Sequence, residues 1–288
     1  MRGATLIGFL AVAMWALLAL LADSAGDIPA FQMTAMTFGI AALCGTASWA
    51  FRPQAAKALK QPLVAWFVGV TGLFGYHFVY FTALNNAPAV DASLIAYLWP
   101  LFIVLGSALM PGEKLKWHHV AGALLGLSGA ALIVTKGGAV NFDPRFAFGY
   151  SMALLCALIW ATYSLLSRRL SQVPTDAVTG FCAATAVLAL ICHLSFETTV
   201  WPQSSAQWIA VVLLGLFPVG AAFFAWDYGV KRGNIQILGA ASYASPLLST
   251  IVLVIAGKAA LTLTLVLACT LITLGAALAA KDMIFKTA

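Results

Sequence analysis

The 15 basic and nine acidic side chains of this sequence all fall between ten uncharged runs, at 3–22, 28–51, 61–90, 92–112, 117–135, 146–167, 177–196, 198–226, 233–257 and 259–280. Each run reaches the roughly 20 residues that a helix needs to cross a bilayer core. Hydrocarbon offers no partner for backbone N–H and C=O groups, which leaves helices or closed barrels as the spanning structures. The runs lack the polar–apolar alternation of barrel strands, so they read as helices. Apolar residues make up 62% of the 288, more than a water-soluble chain of this size can bury. The sequence therefore predicts an all-α membrane protein with ten transmembrane helices.

Lys and Arg set the orientation. With the N-terminus inside, the inner segments carry Arg2, Arg52, Lys57, Lys60, Lys114, Lys116, Arg168, Arg169, Lys231, Arg232, Lys281 and Lys286; the outer loops carry Lys136, Arg145 and Lys258. A 12-to-3 bias is the positive-inside signature and predicts cytoplasmic N- and C-termini. The net charge of +6 is then a topology signal, and no clustered basic face suggests a nucleic-acid partner. Run 3–22 behind Arg2 resembles a signal peptide, but the repeat described next requires it as a helix. The five cysteines (Cys44, Cys156, Cys182, Cys192, Cys269) lie within runs and show no metal-ligand spacing.

The two halves repeat. Trp15 and Trp160 are 145 apart, as are Pro29 and Pro174; Tyr97 and Tyr243, Pro100 and Pro246, Leu115 and Leu261, and Gly129 and Gly275 are 146 apart. Six matches in one order at a nearly constant offset argue for duplication, dividing the chain into five-helix units at 1–140 and 141–288. Five is odd, so equivalent helices must cross in opposite directions. Such inverted repeats are a common transporter architecture, with the substrate path at the repeat interface near midplane.

Both halves weaken the same helices. Pro100 and Pro246 fall near the middle of spans 4 and 9, where each removes a hydrogen bond to the carbonyl four residues back, at Ala96 and Ser242. Gly72 and Pro218 sit midway along spans 3 and 8. These four are candidate helix-bending positions around a central cavity; ordinary packing kinks are the plainer alternative. Gly122, Gly126 and Gly129 on span 5, and Gly275 with Ala279 on span 10, have the small-residue spacing of close helix packing.

No Asp, Glu, Lys or Arg lies inside a run, which removes the usual intramembrane proton or cation site. Asp91 and Asp227, at run ends, read as interfacial. His77 is well inside span 3, between Tyr76 and Tyr80, which share a helix face. Span 4 adds Tyr97 and Trp99, span 1 Trp15, span 6 Trp160 and Tyr163, and span 9 Ser242 and Tyr243. Aromatic residues normally belt the interfaces, whereas Trp15, Trp99 and Trp160 lie deep. Core packing accounts for each singly; together, hydroxyls and indoles at one depth suggest a wet cavity for a ligand with apolar and polar parts.

The segments ATLIG (4–8), YLWP (97–100), IWATY (159–163) and AWDYGVKRGNIQILGAASYASPLLS (225–249) resemble the drug/metabolite transporter superfamily of EamA type. Within it, the chain is similar along essentially its whole length to bacterial aromatic amino-acid exporters of the YddG type. The resemblance implies a multi-pass exporter of amino acids and related metabolites in the bacterial inner membrane. It carries Tyr97, Trp99, Pro100, Trp160, Ser242, Tyr243 and Pro246 into the cavity; His77 comes from the run pattern alone. Small multidrug-resistance relatives have a glutamate in their first span, and span 1 here has none, which argues against their proton-antiport chemistry.

The reading is an amino-acid exporter working by alternating access and facilitated diffusion, without cofactor or metal, as a monomer. A proton-coupled antiporter is the alternative, with His77 as the one deep titratable group. Nucleotide-sugar or organic-phosphate export requires buried Lys or Arg at the substrate, and no run contains one. An intramembrane enzyme requires a catalytic constellation that one mid-span histidine does not supply.

Overall fold

Every uncharged run is largely helical in the computed structural model, which describes residues 2–139 and 142–285. Nine helices among the described residues are long and apolar enough to cross a membrane: α1 (Arg2–Ala25), α2 (Ala30–Ser48), α3 (Leu63–Asn86), α4 (Ala89–Leu109), α5 (Trp117–Val134), α6 (Pro144–Arg169), α7 (Thr175–Phe196), α8 (Ser205–Arg232) and α9 (Ile235–Ile255). A further apolar helix, α10 (Leu263–Ala279), has 17 residues, about 25 Å at the rise of an α-helix. Pro29, Pro62 and Pro88 stand immediately before α2, α3 and α4, where a missing N–H costs no helical bond. Ser204 and Thr262 cap α8 and α10 by accepting the N–H groups of Gln207 and Leu265.

The weakened helices are interrupted at matching places. Wide π-helical turns span Thr71–Gly75 in α3 and Phe217–Ala221 in α8, starting 146 residues apart. They contain Gly72 and Pro218, and such turns bend a helix without ending it. α4 breaks at Tyr97–Leu98 and α9 at Ser242–Tyr243, just ahead of Pro100 and Pro246. A proline ring clashes with the carbonyl four residues back, so the disruption lies upstream of the proline itself. α1 also breaks, at Ala16–Leu17, a turn with neither glycine nor proline to announce it.

The helices pack in pairs: α1 with α8, α3 with α6, α2 with α7 and α5 with α10. Small residues make the last pair close. A methyl group added at Gly122 would meet the Gly275 carbonyl at 2.5 Å, and one at Gly129 would meet Ile272 Cγ1 at 2.6 Å. The spacing read as helix packing is thus used between α5 and α10 of one chain. The large apolar side chains left exposed, such as Leu43, Leu63, Phe67, Leu190 and Leu263, face outward from the bundle, as a lipid-facing surface requires.

One end of the bundle gathers the basic residues into ion pairs: Arg52 with Asp176 at 3.0 Å, Arg168 with Glu113, Lys116 with Asp282, and Lys231 with Asp227 at 2.8 Å. Asp227 is buried within the bundle: its side chain is 1% exposed, about one turn inside the end of α8. Its partner Lys231 is four residues on along the same helix, and a paired aspartate is tolerated where a lone one is not. At the opposite end, Glu197 accepts the N–H groups of Phe31 and Gln32, at 2.9 and 3.0 Å, and so caps α2. There too Asp91 accepts the Tyr150 hydroxyl at 3.0 Å.

Candidate functional site

The breaks in α1, α3, α4, α8 and α9 surround a cavity of about 480 Å³. It reaches the end opposite those four ion pairs, where Gly26, Ile28 and Ala30 line it and Lys258 pairs with Asp23. The π-turn of α3 makes one wall by rotating the following residues, so that Tyr76, His77 and Tyr80 all reach the cavity. The rings of Tyr76 and Tyr80 stack with centroids 6.0 Å apart. Tyr80 shares a hydrogen bond with Ser93 of α4 at 3.3 Å, and Tyr97 lines the same side. Phe38 of α2 packs edge-on against His77 at 5.2 Å and stacks on Phe223 at 5.4 Å.

His77 Nδ1 lies 2.7 Å from the Leu73 carbonyl within the π-turn. A carbonyl can only accept, so Nδ1 carries the proton of this bond and Nε2 is the nitrogen left for a ligand. In the neutral ring Nε2 accepts a hydrogen bond. No Asp, Glu, Lys or Arg lines the cavity among the described residues.

Four tryptophans close the inner end. Trp15, Trp99, Trp160 and Trp226 pack mutually, with centroid separations of 5.2–6.2 Å. Trp15 Nε1 donates to the Pro218 carbonyl at 3.1 Å, and Trp226 Nε1 to Ser164 Oγ at 3.1 Å. Both indole donors are thereby satisfied without a ligand, as buried indoles require. The carbonyl that Trp15 uses belongs to the π-turn of α8, so a helix defect anchors the floor.

Of the nine side chains singled out in the sequence as substrate contacts, Tyr76, His77, Tyr80, Tyr97, Trp99 and Trp160 come together on this cavity, and Pro218 joins them. Tyr163, Ser242 and Tyr243 lie elsewhere. The Tyr163 ring packs over Gly72 on the far side of the floor. Ser242 is fully buried and donates to the Leu238 carbonyl at 2.7 Å, and Tyr243 packs on Gly126 while accepting from the Leu101 N–H. None of these three lines the large cavity: Tyr163 and Tyr243 pack on neighbouring helices, and Ser242 bonds its own. The sequence reading did not name Phe38, Phe81, Ser93, Phe223, Ser245 or Trp226 individually. Trp226 carried the usable signal, being an indole one residue from a run-ending aspartate.

The EamA-like transporter family model matches the chain twice, over residues 2–135 and 147–280. An aromatic amino acid exporter, YddG, of Ancylobacter novellus is 51% identical over 277 residues, covering 96% of each chain. A probable terminal-alkyne amino-acid exporter of Streptantibioticus cattleyicolor is 24% identical over 84% of each chain. A solved crystal structure 49% identical to this chain superposes over the full length of both with a TM-score of 0.94. With both halves matched and the helices apolar and long enough to span, the chain belongs to the EamA-like transporter family and is a multi-pass membrane transporter, not an enzyme.

Proposed function

We propose that this protein exports amino acids, aromatic ones included, across the bacterial inner membrane by alternating access around the tryptophan-floored cavity. The observation that carries the reading is the lining: aromatic walls, a histidine nitrogen and tyrosine hydroxyls, with no charged side chain. A cavity of about 480 Å³ falls in the range of small-molecule sites, roughly 300–1,000 Å³. Rings of Tyr76, Trp99 and Trp160 accept the substrate's side chain; His77 Nε2 and the hydroxyls of Tyr80, Tyr97 and Ser93 meet its ammonium and carboxylate. A zwitterion adds no net charge to a site that has none to offset it. The names of the relatives point to the same substrate class.

In this reading α10 spans as well, giving ten helices in two inverted five-helix repeats. The paired packing of α1 with α8 and α3 with α6 supports it, because each pair is the other's counterpart at the 145–146 offset. The basic end is cytoplasmic by the positive-inside rule, so the conformation is open to the outside and sealed within by the tryptophans and ion pairs. Transport is down the substrate gradient, since the lining offers no carboxylate to carry a driving ion.

The test is flux of each amino acid in proteoliposomes. Saturable, facilitated movement of phenylalanine, lost in Trp99→Ala that still purifies as folded protein, is the expected result. Phenylalanine flux no faster than in protein-free vesicles would refute the reading.

A further inference from the structure

Beneath the tryptophan floor, toward the basic end, a second cavity of only about 10 Å³ lies among Val68, Tyr163, Ser167, Val173, Asp227 and Lys231. It has room for about one water molecule. The repeat offset relates it to the large cavity. Shifted by 145, Tyr163, Ser167 and Val173 correspond to Leu18, Ala22 and Ile28; shifted by 146, Asp227 and Val68 correspond to Phe81 and Leu214. These five counterparts line the large cavity, whereas Asn85, the counterpart of Lys231, does not. The small cavity thus occupies the equivalent place in the other half of the molecule, in a collapsed form. Trp15 and Trp160, also counterparts, both line the large cavity where it meets the floor.

The two linings differ in chemistry. Leu18, Ala22 and Phe81 on one side are answered by Tyr163, Ser167 and Asp227 on the other. The Tyr163 hydroxyl is buried beside Ser167, without a hydrogen bond of ordinary geometry among the described residues. Asp227 and Lys231 are 1% and 5% exposed and 2.8 Å apart. Thr175 Oγ1 donates to Asp227 at 2.6 Å, and Lys231 Nζ donates to the Val173 carbonyl at 2.9 Å. Stability alone is a weak reason for such a pair, because apolar residues of similar volume commonly serve as well. Asp227 and Lys231 lie one turn apart on α8 and travel together, so opening of this end bares both charges side by side, and an amino-acid zwitterion matches them with one charge of each sign.

We propose that Tyr163, Ser167, Asp227 and Lys231 form a second binding site for zwitterionic amino acids, on the cytoplasmic side of the tryptophan floor. When the basic end opens, the Lys231 ammonium takes the substrate carboxylate and the Asp227 carboxylate takes its ammonium, with the Tyr163 and Ser167 hydroxyls beside them. One ion pair is exchanged for two, so net charge in the site is zero before and after. An amino acid with a charged side chain leaves one charge uncompensated and is disfavoured. The site rests on the transport reading above and adds to it where cytoplasmic substrate is first held.

The experiment uses inside-out membrane vesicles, which expose the basic end, and compares phenylalanine with its methyl ester as competitors of labelled phenylalanine uptake. The ester keeps the ammonium and lacks the carboxylate. In the parent protein the free amino acid competes better, by about tenfold for one charged hydrogen bond. In Lys231→Gln that preference falls to near unity, and Lys231→Arg restores it. A pair that serves only as a latch predicts the opposite: Lys231→Gln leaves the preference intact and lowers the half-saturating concentration. Should Lys231→Gln fail to fold, Ser167→Cys in a chain freed of its five cysteines gives the answer. An impermeant thiol reagent labels it from the basic end, and phenylalanine slows the labelling at least severalfold. An unchanged acid-to-ester preference, or labelling indifferent to phenylalanine, overturns the site while leaving the transport reading standing. Failure of the parent to take up phenylalanine overturns both.

Discussion

The hydroxyl of Tyr243 accepts the backbone N–H of Leu101 at 3.2 Å, tying the break in α9 to the break in α4. Leu101 follows the Tyr97–Leu98 interruption, where the regular ladder gives way, and a buried amide there must find another acceptor. One broken helix thus satisfies the other. Tyr243→Phe should lower thermal stability by about 1–3 kcal/mol, the cost of an orphaned buried donor. Half-saturation for substrate should stay as in the parent. A melting temperature equal to the parent's, with transport lost, would assign Tyr243 to the substrate instead.

His77 reads as the polar anchor of the cavity. His77→Ala should weaken phenylalanine binding about tenfold or more, the worth of one hydrogen bond to a charged group. His77→Gln, which keeps an acceptor, should recover part of it. Equilibrium binding to the purified protein in detergent or nanodiscs makes the comparison, and equal affinities across the three proteins would remove His77 from the site.

The four-tryptophan floor makes a prediction about yield against function. Trp226 is fully buried with its indole N–H on Ser164, so Trp226→Ala should destabilise by about 3–5 kcal/mol, as for other large core truncations. Trp99 borders the cavity, and Trp99→Ala should instead purify well and transport poorly. Thermal melts and proteoliposome flux on both variants separate the two roles.

Energy coupling is tested by a pH step across proteoliposomes holding equal substrate on both sides. Facilitated diffusion predicts no net accumulation. Accumulation driven by the proton gradient and abolished in His77→Ala would establish a proton antiporter, with the imidazole as the carrier that the lining otherwise lacks.

Orientation is tested by single cysteines in a chain without native ones. Lys57→Cys, in the 3₁₀ segment Pro53–Leu59, should react with impermeant reagents only from the cytoplasm, and Asn85→Cys only from outside. Labelling of position 57 in intact cells would invert the molecule, and with it the assignment of the two cavities.

The helical fold class, the membrane environment, the weak points of the helices and the family were legible in the residues themselves. These are local or additive properties. A run long enough to cross hydrocarbon must be helical, and a mid-helix proline or glycine weakens the helix wherever it packs. Offsets of 145 and 146 survive in the order of residues without any knowledge of contacts. The direction each side chain faces was decided only by tertiary structure. Tyr163, Ser242 and Tyr243 do not line the large cavity: they pack on Gly72, bond the Leu238 carbonyl and accept the Leu101 N–H, respectively. A π-turn adds one residue to a helix and so rotates everything after it by about 100° relative to an ideal helix, which no periodicity drawn on an unbroken helix can follow. The i, i+4 spacing of Asp227 and Lys231 is readable in the sequence, but their burial is not. Whether this pair faces lipid, water or the bundle depends on helices distant in sequence, which here cover both side chains.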